Sequence, residues 1–169
     1  ADEYFSDKEK GYLSTIYMSN NFSNKESSNM FSVLEKTLLL KSVNLFKNIP
    51  GDILSKISQI AEEVEIGFDE KLFDQGEQGD SMYIIINGKI SVTQNERSIT
   101  ILGEGDCIGE MALLDQEPRS AGALAMVDSI LLKIDQKGFF ELMSTNPEIM
   151  KQIVMVLTQR VRNMNKKVT

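Results

Sequence analysis

The sequence predicts an α+β chain in which a small rolled antiparallel sheet sits between helical segments. Three observations carry this. The apolar period is helical from Met30 onward, switches towards two between about Val64 and Asp135, and returns to helical after Gln136. The middle stretch is a series of short β-type runs punctuated by Gly76, Gly79, Gly88, Gly103 and Gly105, which read as turn makers. Asn87-Gly88 joins two such runs, Met82 to Ile86 and Lys89 to Thr93, and Asn-Gly between alternating runs predicts a tight hairpin.

The elements follow in order. Residues 1–29 read as a poorly ordered or short-helical lead. Tyr12, Leu13, Ile16 and Tyr17 form one helical face there, before the polar run Ser19 to Asn29. Residues 30–63 read as a helical bundle. Phe31, Leu34, Leu38, Leu39, Val43 and Phe46 keep helical spacing, with a break at Asn48-Ile49-Pro50. Asp52 is placed to cap a second helix carrying Leu54, Ile57, Ile60 and Ala61 inward. Residues 64–135 form the sheet region, with further runs over Ser98 to Leu102, Ala121 to Val127 and Ser129 to Asp135. Residues 136–169 return to helix. Phe139, Phe140, Leu142 and Met143 mark a short one, and Asn146-Pro147-Glu148 gives a second its cap, first-turn proline and acid. Met150, Ile153, Leu157, Val161 and Met164 are its expected core stripe.

Composition narrows the chemistry. The 169 residues are 41% hydrophobic, enough for a packed core. A formal net charge of −7 argues against a nucleic-acid surface over the whole protein. There is no histidine, which removes imidazole zinc sites, Ser-His-Asp triads and the iron site of cupins. The single cysteine, Cys107, forbids an internal disulfide and reads as a small buried hydrophobe rather than a nucleophile. No metal site and no catalytic residue is expected. There is no signal peptide pattern and no apolar run long enough to span a membrane, so a cytoplasmic setting is expected. The chain opens on Ala1, and it reads as a domain cut from a longer protein.

The densest chemical signal is Gly109 to Ala125, GEMALLDQEPRSAGALA. Glu110 offers a carboxylate that can accept from ribose hydroxyls. The backbone N–H groups of a short turn starting at Gly109 can point at phosphate oxygens. Arg119, behind Pro118, offers a planar and permanently charged fork. Burying that guanidinium is costly unless something pairs with it; without ligand, water or an acid such as Asp115 or Glu117 is expected to serve.

This segment, together with FDQGEQGDSMYIIINGKISV upstream, resembles the phosphate-binding cassette and roll of the cyclic nucleotide-binding domain family, the family of catabolite activators and cAMP-dependent kinase regulatory subunits. The resemblance covers roughly Leu45 to Arg162. It implies an eight-stranded antiparallel β-roll (a double-stranded β-helix, jelly-roll-like) with N-terminal helices and C-terminal lid helices. It implies a cassette over 109–121 whose ligand-binding residues are Gly109, Glu110, Met111, Ala112, Leu113, Arg119, Ser120 and Ala121. Ser120 departs from the family's threonine, which supports cGMP, and from its alanine, which accompanies cAMP in kinase subunits. The C-terminal helix closes over the base in the family, so Leu157 or Arg160 would touch it here.

The function implied is that of a regulatory sensor for a cyclic nucleotide, cAMP first and cGMP as the alternative. It would pass ligand binding through its helices to a covalently linked effector or partner protein, and homodimerisation is compatible with this. Three other classes compete. A transcription factor of this kind needs a helix-turn-helix after the long helix, and none follows before Thr169, so no nucleic-acid binding by this chain is expected. A phosphodiesterase ordinarily needs metal-binding histidines. A degenerate roll serving only in assembly would not need Glu110 and Arg119.

Overall fold

The computed structural model describes residues 30–168; the lead over 1–29 and Thr169 lie outside the described residues. Helices α1 (Val33–Ser42) and α2 (Gly51–Ile60) precede eight strands. These are β1 (Glu62–Ile66), β2 (Lys71–Phe73), β3 (Ser81–Asn87), β4 (Ile90–Gln94), β5 (Arg97–Leu102), β6 (Cys107–Ile108), β7 (Gly122–Ala125) and β8 (Ser129–Asp135). Helices α3 (Gln136–Thr145) and α4 (Pro147–Val168) follow. The strands form two four-stranded antiparallel sheets, ordered β1-β8-β3-β6 and β2-β7-β4-β5. The result is the expected antiparallel roll with flanking helices.

Two apolar layers explain the sequence pattern. One lies between the sheets and holds Ile66, Phe73, Tyr83, Ile85, Ile90, Ile108, Ala123, Ala125 and Leu131. The other lies between the outer face of the first sheet and the helices. Strand β3 has a neighbour on each edge, and the two apolar layers cover both of its faces. Tyr83 and Ile85 enter the inter-sheet layer, while Met82, Ile84 and Ile86 meet the helices. A strand buried on both faces reads as a continuous apolar run rather than an alternation.

Asn87-Gly88 is not a hairpin. β3 and β4 belong to different sheets and do not pair with each other. Only Gly88 takes positive φ, at +114°, and a Cβ there would collide with Ser129. The pair turns a corner between the sheets. The tight hairpin lies one strand later: Gln94 pairs with Arg97, and Asn95 and Glu96 between them have φ of 51° and 64°. That is the backbone a two-residue hairpin of this hand demands, built without glycine.

The helices correct several expected faces. Leu34 and Leu38 of α1 are exposed. Its inner face carries Lys36 and Thr37 beside Leu39 and Leu40. Lys36 Nζ donates to the Ala61 carbonyl at 3.0 Å and pairs with Glu63 at 3.5 Å, while Thr37 and Ser58 hydroxyls meet at 2.8 Å. A buried cation with a carboxylate and a carbonyl is tolerated there, and it breaks the apolar stripe on which the sequence reading relied. Ser32 caps α1 in a reciprocal capping box with Glu35. Asp52 makes no cap bond; Pro50 occupies that position and Asp52 lies in the first turn. Asn146 turns its amide back to Leu142 and accepts from Lys56, so it does not cap α4 through its side chain. In α4 the buried residues are Ile149, Ile153 and Val156, whereas Met150, Val161 and Met164 of the expected stripe are exposed.

Candidate functional site

The roll brings the sequence-predicted residues to one cavity of about 450 Å³, a volume suited to a small organic ligand rather than a bare ion. Gly109, Glu110, Met111, Ala112, Arg119, Ser120 and Ala121 line it, joined by Phe73, Val92, Cys107 and Ile108. Leu113 does not line it. Its side chain is fully buried in the helix-side core.

The local chain path follows from β6 and one glycine. After Ile108 the chain enters the left-handed region at Gly109, φ +77°, and winds into a 3₁₀ turn over Glu110–Leu113. A Cβ on Gly109 would land on the Arg119 guanidinium. Glycine is therefore needed twice here, for its backbone and for the space it leaves. A Cβ on Gly79 would stand 2.6 Å from the Ala112 Cβ and 3.2 Å from Arg119 Nε, so Gly79, read as a turn maker, instead makes room for the arginine. The Gln136 side chain at the start of α3 donates to the carbonyls of Ala112 at 3.1 Å and Asp115 at 2.8 Å. That ties the cassette to the helices behind it.

Arg119 is pinned by its backbone. Its N–H donates to the Glu77 carbonyl at 2.7 Å, and its carbonyl accepts from Gly76 at 2.8 Å. The side chain runs inward and is only 8% exposed. The guanidinium carbon sits 4.0 Å from the Phe73 ring centroid, a cation–π placement. Nη2 reaches Ser81 Oγ at a long 3.5 Å. Nε and Nη1 are buried with no hydrogen-bond partner among the described residues. Of the partners expected for it, the acids Asp115 and Glu117 do not pair with it: Arg119 runs inward, whereas Asp115 is part-exposed and Glu117 exposed at the cavity edge. Burial pushes the guanidinium below its usual range, while Tyr83, Asp80 and Glu77 pull the other way. It stays charged, since arginine has a wide margin above neutral pH.

Glu110 faces a different environment. Oε1 pairs with Arg160 Nη1 of α4 at 3.4 Å, and Oε2 lies 3.9 Å from the Cys107 thiol. Burial pushes that thiol up to about 12, with the Glu110 charge adding to the effect, so Cys107 stays protonated. Cys107 lines the cavity rather than lying sealed in the core. Leu157, the other residue expected at the ligand base, is half-buried against the helix-side core. Phe73, Ser81 and Gln136 escaped the sequence reading. Phe73 belongs to a three-residue strand too short to show a period, and Gln136 stood at a boundary between periods.

The cavity thus offers a buried unpaired guanidinium, a carboxylate, and apolar walls between them. A singly charged anion with hydroxyl donors beside it matches this set, since donors and acceptors must be met where water is excluded.

Comparison with known proteins agrees. The family described as the cyclic nucleotide-binding domain matches residues 63–146. The CRP-like cAMP-activated global transcriptional regulator of Mycobacterium tuberculosis is 26% identical over 132 residues, covering 75% of this chain and 59% of the regulator. A cGMP-dependent protein kinase of Drosophila melanogaster is 38% identical over 118 residues, which is 65% of this chain but 13% of the kinase. The chain therefore spans less than two thirds of the length of these relatives. Among solved structures, the N-terminal domain of a transcriptional regulator from Streptomyces coelicolor superposes with a TM-score of 0.72 at 23% identity, over 78% of this chain and 95% of that one. From the roll, the cassette and these matches together, the chain belongs to the cyclic nucleotide-binding domain family.

Proposed function

We propose that this chain is the sensor of a regulatory protein, that its ligand is cAMP, and that Arg119 and Glu110 hold the ligand by its phosphate and ribose. One observation carries the reading: among the described residues, two nitrogens of the buried Arg119 guanidinium have no partner beside a ligand-sized cavity. An unpaired buried donor is destabilising, so a fold that keeps one needs a reason outside its own stability. The charge of the cavity favours a cyclic phosphate over a linear one. Among the described residues Arg119 is its one lining cation, while Glu110, Asp115 and Glu117 are acids, which suits a monoanionic phosphodiester better than a dianionic monoester. The same unpaired guanidinium argues against a roll kept only for assembly.

The domain is regulatory rather than catalytic in this reading, and Gly109, Met111, Ala112, Ser120 and Ala121 shape the cradle. Leu113 acts from behind as packing. The effector, covalently linked or separate, is reached through the α3–α4 pair that Gln136 and Arg160 tie to the cassette. Among the described residues no helix is long and apolar enough to cross a membrane. A cGMP sensor is the second reading, supported by the Ser120 hydroxyl at the cavity and by the cGMP-dependent kinase relative.

The test is a melting scan with calorimetric titration of cAMP and cGMP side by side. A ligand that binds only the native state adds about 2.7 kcal/mol at 100 times its dissociation constant. cAMP is expected to raise the melting temperature and linear AMP to leave it unchanged. No shift with millimolar cAMP or cGMP, in folded protein shown to be ligand-free, overturns the sensor reading. Tighter binding of cGMP than of cAMP selects the second reading.

A further inference from the structure

A buried guanidinium needs something to fix its plane, and Arg119 has few contacts that could. Its backbone bonds to Glu77 and Gly76 set where the side chain starts, not how its planar end lies. The contact from Nη2 to Ser81 Oγ, at 3.5 Å, is at the limit of a hydrogen bond and holds direction weakly. Among the described residues no carboxylate forms an ion pair with it. What remains is the Phe73 ring, whose centroid lies 4.0 Å from the guanidinium carbon.

The ring stands there because β2 is irregular. Lys71 pairs with Leu124 and Phe73 with Ala123, so β2 carries one residue more than β7 over this step. In a regular strand Phe73 would share a face with Lys71, two residues away. Lys71 instead pairs with Asp74 in solvent, whereas Phe73 is 7% exposed and lies between the sheets. Bulges of this kind re-aim side chains beside active sites. Tyr83 backs the ring from the opposite sheet, with centroids 6.0 Å apart.

A carboxylate and an aromatic face hold a guanidinium in different ways. A carboxylate takes its N–H groups. A ring face attracts the cation through its quadrupole and takes none of the five donors. Nε and Nη1 are without partners among the described residues, as a hold of the second kind allows. We propose that Phe73 is a positioning residue for the anion site: its ring, turned inward by the bulge in β2, holds the plane of the Arg119 guanidinium for a phosphate and leaves the donors to it. This rests on the reading of the cavity as a cyclic nucleotide site. A guanidinium kept in one plane meets the two exocyclic oxygens of a cyclic phosphate unequally, so the ring also sets which of them is held more tightly.

Two measurements test this. The first uses the free protein with isotope-labelled arginine. The Arg119 Nε–H resonance, assigned by its absence from Arg119→Lys, should carry the upfield shift of a group over an aromatic ring and show slow rotation about the Nε–Cζ bond. Both should be lost in Phe73→Leu. The second titrates the Sp and Rp phosphorothioates of cAMP, each of which replaces one exocyclic oxygen by sulfur. The parent should bind them unequally. Phe73→Leu should bind cAMP roughly threefold to tenfold more weakly, the cost of ordering one loosened side chain. The ratio between the two diastereomers should fall towards one. A ring-fluorinated phenylalanine at position 73 keeps the shape and weakens the π face, so it should move the ratio the same way even where leucine disturbs the fold. A ring that only fills space gives a different pattern: a lower melting temperature in Phe73→Leu, with the Arg119 resonance, the cAMP affinity and the ratio unchanged. That result overturns the proposal. So does a freely rotating Arg119 in the parent, or equal binding of the two diastereomers by it. A parent that shows the held guanidinium but binds no cyclic nucleotide overturns the sensor reading instead, and the hold by Phe73 stands.

Discussion

The two charged walls of the cavity are built on opposite plans. Arg119 is enclosed, fixed through its backbone to the β2–β3 connection and stacked on Phe73, yet two of its nitrogens have no partner among the described residues. Glu110 is part-exposed, sits on a four-residue 3₁₀ turn, and already has a cationic partner on another element. The first wall is costly without ligand and does not depend on any helix position. The second is satisfied without ligand and depends on where α4 lies. A fixed anchor determines how tightly a ligand can be held. A wall shared with a helix determines what the ligand must displace, because a ligand shifts a conformational balance only by its differential affinity for the two states.

The largest break in this contrast comes at the anchor. Arg119→Ala is expected to weaken cyclic nucleotide binding by roughly 2–4 kcal/mol, since a charge-assisted pair in a partly dry site is removed. Arg119→Lys keeps the charge but loses the planar fork and the stacking on Phe73, so only partial recovery is expected. The contrast is sharpened by Arg119→Met measured without ligand. Removing a buried, unpaired cation for an apolar chain of similar length should raise the melting temperature of the free protein while binding is lost. A free protein that is instead destabilised would show that Arg119 is held mainly for packing.

Glu110→Gln comes next. It keeps the shape and one acceptor but removes the charge, and a loss of about 1–2 kcal/mol is expected through the ribose hydroxyl. The variant should also discriminate less between cAMP and its 2′-deoxy analogue. Equal discrimination in both proteins, read by calorimetric titration, would remove Glu110 from the ribose.

The same division between fixed and shared structure explains what the sequence reveals. The roll is legible because period-two runs and glycine turns are local signals. The approach of Glu110 and Arg119 to a common cavity follows from a contiguous cassette. Phe73 and Ser81 were hidden because they reach Arg119 through sheet packing, which no local period encodes. The Asn87-Gly88 turn misled for a related reason. Positive φ at Gly88 is real, but whether the flanking strands pair or part is decided by which sheet each one joins. The inner face of α1 was misread because Lys36 finds Ala61 and Glu63 across the fold, and a paired cation can sit where the pattern calls for an apolar residue. In α4 the stripe read from the sequence mixes the inward face, which carries Ile153, with an exposed one carrying Met150, Val161 and Met164, since Leu157 lies half-buried at their border.

The smallest expected effect is the most telling about coupling. Arg160 and Glu110 are both part-exposed and meet at a single 3.4 Å contact, so their pair contributes at most about 1 kcal/mol. If the ribose hydroxyls take the Glu110 carboxylate, Arg160 must give it up, and α4 loses its one ion pair to the cassette among the described residues. Arg160→Ala then removes a competitor. Affinity for cAMP should rise, by no more than about fivefold given that energy. Arg160→Lys should stay near the parent, since one long contact needs a charge rather than a fork. A fall in affinity with Arg160→Ala would mean the arginine remains at the carboxylate beside the ribose. The helix would then be held by the ligand rather than released by it, and the sign of that single titration decides between the two.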